Sequence, residues 1–176
     1  MPLEIDKIIR NKIEETDPQF STSIDNYLKW VPLYSVFVLD AFGVQTKNDL
    51  KKQIKLVAAS ETIQSIVTNP LKKIVKEVRP GVSLHHNSFP SGHAATSFAG
   101  VEILRIELKA NYPVMCYGGY AVAAATGFLR LYRNKHWFSD VVAGALIGIL
   151  SARLAYRIFS GKNRTGIGSE NNEAEG

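Results

Sequence analysis

A chain of 176 residues, 45% of them hydrophobic, has the length of about one domain and an ordinary supply of core-forming side chains. Its net charge of +5 favours anionic partners: a phosphorylated substrate, an acidic lipid surface or nucleic acid. The single cysteine, Cys116, excludes disulfides and zinc clusters and reads as a small buried hydrophobe.

Residues 1–17 are too charged for a secretory signal. Leu3, Ile5, Ile8, Ile9 and Ile13 recur at roughly helical spacing with Lys7, Arg10 and Lys12 between them, which predicts a short amphipathic helix ending before Asp17 and Pro18. Such a helix packs on the domain or lies on a membrane surface. A second apolar stretch, Tyr27 to Val44, reads as one helix despite Lys29, Pro32 and Asp40. From Asn48 to Val78 the apolar pattern gives two helical pieces broken at Pro70, and Arg79-Pro80-Gly81 stops the second. A polar loop through His85, His86 and Asn87 then leads to Ser91, the expected N-cap of a helix running to about Lys109.

After the turn at 111–113 comes a helix rich in small residues, Gly118, Gly119, Ala123 and Gly127 among them, ending near Arg130. A charged loop connects it to the last helix, Ser139 to Phe159, where Gly144 and Gly148 make a small-xxx-small packing pattern. The apolar runs 113–129 and 137–152 each fall short of the roughly 20 residues that cross a bilayer comfortably. The expected fold is all-α: a compact bundle of about five long helices plus the amphipathic N-terminal one. The division is 1–20 for that helix, 21–159 for the bundle, and 160–176 for a polar, disordered tail.

Polar residues gather at three helix ends. Lys72 and Arg79 are two helical turns apart, with Lys76 between, and so fall on one face; alone this is an ordinary solvated basic face. Pro90-Ser91-Gly92-His93 opens a helix, where free backbone N–H groups and the dipole favour an anion; alone it is an N-cap followed by a solvent-facing histidine. His136 and Asp140 have i, i+4 spacing, which sets a carboxylate beside an imidazole and can fix its tautomer, as a nucleophilic histidine requires; alone it is a surface contact.

Taken in order, Lys72 to Pro80, Pro90 to His93 and Arg130 to Asp140 resemble the tripartite signature of the type 2 phosphatidic acid phosphatase and vanadium haloperoxidase superfamily. The resemblance covers about residues 50–159 and departs from the family pattern at Leu129, where serine is usual. It implies a metal-independent phosphatase acting on a phosphate monoester or pyrophosphate, in the membrane branch a phosphorylated lipid. His136 would be the nucleophile, Asp140 its orienting partner and His93 the acid and base. Lys72, Arg79, Ser91, Gly92 and Arg130 would bind the phosphoryl oxygens. No cofactor is implied, and His85 with His86 flanks the pocket rather than forming a metal site.

The membrane reading puts the enzyme in a bacterial-type inner membrane. Lys47, Lys51, Lys52 and Lys55 then lie at the cytoplasmic side and the site faces outward. In that setting Glu61, Glu102, Arg105 and Arg153 must turn inward or pair between helices. Two alternatives accompany this reading: a soluble acid phosphatase or vanadate-dependent haloperoxidase of the same superfamily, and a non-enzymatic helical protein. Scattered basic residues without interleaved aromatics argue against nucleic acid, and the oligomeric state is left open.

Overall fold

The computed structural model describes residues 2–16, 21–81, 85–108 and 111–160. The expected tail from residue 161 onward, and Lys109 beyond the fourth long helix's predicted start at Ser91, lie outside those residues. Among the described residues the chain is all-helical: α1 Glu4–Thr16, α2 Asp25–Leu28, α3 Val31–Ala41, α4 Leu50–Val75, α5 Gly92–Leu108, α6 Pro113–Tyr132 and α7 Phe138–Ser160. Five of them, α3 to α7, make the bundle.

The centre of that bundle is α5, which packs against α3, α4, α6 and α7. Ala94, Ala95, Ala99, Val101, Ile103 and Leu104 are all buried, as expected of a helix apolar on every side. Leu56 on α4, Ile103 on α5 and Ala152, Ala155 and Tyr156 on α7 form one core cluster. Val36, Leu104, Leu108 and Cys116 form a second between α3, α5 and α6.

The small-xxx-small pair sets the α5–α7 distance. A Cβ on Gly144 would stand 2.3 Å from the Ser91 carbonyl oxygen, and one on Gly148 would stand 2.2 Å from that of Ala95. Only glycine permits this approach, and it brings the first turns of α5 and α7 together.

Three local expectations are corrected. The stretch from Tyr27 splits into α2 and α3, because Lys29 and Trp30 form a turn ahead of Pro32 at the start of α3. Pro70 does not break α4, which continues to Val75; Gln64 and Thr68 on its inner side are buried and hold it in line, while Ile66, whose carbonyl loses its bond, faces outward. Lys72 and Arg79 do not share a helical face, since Lys76 adopts the left-handed conformation (φ 49°) and ends α4 before Arg79 is reached.

Outward-facing apolar side chains are numerous. Phe138, Val142, Leu146, Leu150, Leu154 and Ile158 form an exposed stripe along α7 at four-residue spacing. Residues 138–159 are the one stretch among those described that is long and apolar enough to cross a membrane.

Candidate active site

Four helix ends meet at one pole of the bundle: the C-termini of α4 and α6 and the N-termini of α5 and α7. The loops between them are stitched by backbone bonds, Gly81 N–H to Asn134 O at 3.1 Å, Ser88 N–H to Glu77 O at 3.0 Å and Ser91 N–H to Asp140 O at 3.0 Å. All eight residues expected to form a site lie at this pole.

Ser91 is fully buried, and its hydroxyl accepts a long 3.4 Å bond from Ala94 N–H, consistent with the expected N-cap. A Cβ added to Gly92 would meet nothing within 4 Å, so the first turn of α5 opens onto free space. His93 follows, with its Nε2 2.9 Å from Asn26 Oδ1.

Lys72 reaches across from α4 and donates to the Asn87 carbonyl at 3.0 Å and the Pro90 carbonyl at 2.5 Å, bracing the segment that enters α5. Arg79 donates through Nε to Asn87 Oδ1 at 3.0 Å.

His136 is buried two residues ahead of α7, not on the helix as the i, i+4 spacing suggested. Its Nδ1 nevertheless lies 3.5 Å from Asp140 Oδ2. The carboxylate is held by the Ser88 hydroxyl at 2.5 Å and the Trp137 N–H at 2.9 Å, so it turns back over the helix start toward the ring. Burial holds His136 well below the ordinary imidazole pKa; the positive charges of Arg130, Lys72 and Arg79 add to this, and a bond to the Ser88 backbone opposes it. Burial and the neighbouring charges both favour the neutral ring.

Arg130, in the last turn of α6, is buried and donates through Nη1 to Asp25 Oδ2 at 2.6 Å. Arg133 reaches the other oxygen, Asp25 Oδ1, at 2.5 Å. Burial alone would raise the Asp25 carboxyl, but bonds and charge from the two arginines outweigh it and leave its pKa below the usual value.

Lys76, His85 and His86 remain exposed, and among the described residues no three His, Cys, Asp or Glu side chains converge as a metal site would require. Asn87 and Ser88 gave only a turn signal in the sequence. Asp6, Asp25 and Asn26 gave none, because their partners lie 133, 105 and 67 residues away in the chain.

Three buried polar atoms here have no hydrogen-bond partner: Arg130 Nε, His136 Nδ1 and Asp140 Oδ1. A buried donor left open costs on the order of 1–3 kcal/mol; of the three, His136 Nδ1 is turned to Asp140, and Arg130 Nε is the donor that a polar ligand would satisfy. Arginine and lysine around it make that ligand an anion.

The lipid A 1-phosphatase of Porphyromonas gingivalis is 35% identical over 140 residues, 79% of this chain and 31% of that protein. Lipid phosphate phosphatase 1 of Arabidopsis thaliana is 36% identical over 94 residues, 47% of this chain and 28% of that protein. The chain thus spans about a third of the length of these curated relatives. The crystal structure of Aquifex aeolicus LpxE superposes with a TM-score of 0.65 at 21% identity, covering 89% of this chain and 99% of that one. A transmembrane PAP2 type phosphatidylglycerolphosphate phosphatase from Bacillus subtilis gives a TM-score of 0.60 at 18% identity over 91% of this chain and 87% of that one, so the fold is shared with both. Residues 53–164, which hold all eight of the site residues, match the sequence model of the PAP2 superfamily, and the chain belongs to that superfamily.

Proposed function

We propose that this protein is a membrane lipid phosphatase that works without a metal ion, through a phosphohistidine formed on His136. The observation that carries the proposal is a buried imidazole 3.5 Å from the Asp140 carboxylate, at the pole that also holds Lys72, Arg79 and Arg130.

The His136 nitrogen remote from Asp140 attacks phosphorus in line. The P–N bond forms as the bond to the leaving oxygen breaks, and His93 delivers a proton to that oxygen; burial and the charges of Arg130 and Lys29 push its pKa down to about 3, and the negative charge of the bound phosphate offsets both so that the ring can carry the proton. Asp140 stabilises the positive charge that develops on the ring. His93, now neutral, takes a proton from water, whose oxygen attacks phosphorus; the P–N bond breaks, and inorganic phosphate and free His136 result. Lys72, Arg79 and Arg130, with the Ser91 hydroxyl and Gly92 N–H, hold the equatorial oxygens where transition-state charge accumulates. These fixed cations supply the charge that magnesium supplies in other phosphoryl-transfer sites.

The substrate is a phosphorylated lipid. The outward apolar stripe on α7 favours a bilayer setting, and the names of the relatives point to the same class. Phosphatidic acid, phosphatidylglycerol phosphate and lipid A phosphates head the panel to test. Lys47, Lys51, Lys52 and Lys55 sit toward the end of the bundle opposite the site, which favours a cytoplasmic far end and a site facing outward from an inner membrane.

The test is release of inorganic phosphate from short-chain phosphatidic acid in detergent with excess chelator, for the wild type and His136→Ala. Chelator-resistant release that the substitution abolishes is expected. Release that needs a metal, or that survives the loss of His136, overturns the mechanism.

A further inference from the structure

The family match begins at residue 53, yet two segments before it are built into the site. Asp6 of α1, itself buried, accepts from the Ser139 N–H and hydroxyl at 2.8 Å each, one residue from Asp140. Arg10 of the same helix lies over the Trp137 ring, 5.7 Å from its centroid. From α2, Asn26 meets His93, and Asp25 meets Arg130 and Arg133.

Of these contacts the Asp25 bridge bears most directly on chemistry. Its carboxylate is fully buried and is shared between two guanidinium groups. A fully buried carboxylate is retained only when it is paired, and here the pairing takes a particular form. Asp25 engages Arg130 through one terminal nitrogen, Nη1, and leaves Nε buried and unpartnered. A guanidinium whose sole purpose was to satisfy Asp25 would gain from a two-pronged fork with both carboxylate oxygens. Instead Arg133 occupies the second oxygen, which fixes the carboxylate and leaves Arg130 Nε without a partner. Without the bridge, Arg130 would be free to swing in a site it shares with Lys72 and Arg79, whose like charges repel it.

The geometry points to Asp25 as a positioning residue for anion binding: bridging Arg130 to Arg133, it holds the Arg130 guanidinium with its open Nε–H turned to the phosphoryl oxygens. This rests on the reading of Arg130 as a phosphate-binding group. It also makes the N-terminal segment a working part of the site rather than an appendage to the family-matched bundle.

The test uses the full chain in detergent, with short-chain phosphatidic acid as substrate and inorganic phosphate as competitive inhibitor. Asp25→Asn keeps the size and removes the charge. It is expected to raise the phosphate inhibition constant and lower kcat/KM together, each by roughly tenfold to a hundredfold, the cost of misplacing a binding group by about an ångström. A purely structural role would reduce the folded fraction and hence kcat, but an inhibition constant does not depend on how much enzyme is folded. Wild-type phosphate inhibition in Asp25→Asn overturns the assignment; tighter inhibition does so too, since Asp25 would then be a competitor that phosphate must displace.

If Asp25→Asn does not fold, Asp25→Glu retains the charge but shifts the carboxylate by one methylene. Weaker phosphate inhibition is then expected, and unchanged inhibition overturns the proposal. Should His136→Ala be inactive while Asp25→Asn behaves as wild type, only the role of Asp25 falls. Should His136→Ala remain active, the catalytic reading falls first.

Discussion

Buried charge occurs in two regions along α5, and the two are treated differently. In the distal half, Glu102 is fully buried, and both its oxygens are engaged by Arg105 on α5, by the Tyr120 hydroxyl of α6 at 2.5 Å and by Arg153 of α7 at 2.7 Å. Glu107, about 21 Å along the helix from His93 at 1.5 Å per residue, accepts from Asn48 twice and from the Tyr156 hydroxyl. Every carboxylate oxygen there has a partner. At the first turn, by contrast, Arg130 Nε, His136 Nδ1 and Asp140 Oδ1 have none. An open valence alone does not mark a site, since Glu61 Oε1 on α4 is also buried without a partner; what differs is that the distal carboxylates are paired on every oxygen and clamp helices together, whereas at the pole the cation Arg130 keeps a buried N–H open beside two further cations.

The comparison breaks most readily at Asp140. Asp140→Asn leaves an acceptor for Ser88 and Trp137 but removes the charge that faces His136, and it is expected to lower kcat on the order of a thousandfold with little change in thermal stability. Steady-state kinetics alongside a detergent melting curve measure both; a large stability loss with modest kinetic loss would place Asp140 in the clamping class instead.

Glu102→Gln should behave in the opposite way. It breaks a buried ion pair while leaving the site alone, so stability falls by about 3 kcal/mol and kcat/KM per folded molecule is unchanged. A kinetic effect in the folded fraction would couple the two ends of α5. Gly148→Ala is a second stability probe, because its new methyl would stand 2.2 Å from the Ala95 carbonyl oxygen and must push α5 and α7 apart; a loss of about 1–3 kcal/mol or more is expected, read as a lower melting temperature.

The smallest effect is on pH. Since burial and neighbouring cations hold His136 well below the ordinary imidazole value, the acid limb of kcat/KM that it sets is expected below pH 6.5. The linked stability has a definite sign: the folded ring resists protonation more than the unfolded one, so stability is full above the ordinary imidazole pKa. It is lost as pH falls through that value toward the folded one. An acid limb at or above the ordinary value, in profiles of wild type, contradicts a buried neutral nucleophile.

Much of this was legible in the sequence for a physical reason: helix periodicity, caps and the three motifs are local patterns, and the glycines of α7 announce close packing. Gly144 and Gly148 were read as packing residues, and they bring α5 and α7 within backbone contact. What the sequence did not disclose is non-local. Asp25 and Asn26 sit before an apolar helix and look like turn residues until the fold carries them to Arg130 and His93. Local geometry misled where tertiary packing overrode it, as at Pro70, and where a residue left its helix, as Arg79 does beyond Lys76 and His136 does ahead of Phe138.

The central claim, that the open valences around His136 belong to a nucleophile, is tested most directly by trapping the intermediate. Labelled short-chain phosphatidic acid would be mixed with the enzyme, quenched within a turnover and digested for peptide mapping. An acid-labile, base-stable phosphate on His136, missing from His136→Ala, is the predicted result. A phosphate mapped to any other residue, or turnover with no phosphoenzyme at all, would contradict it.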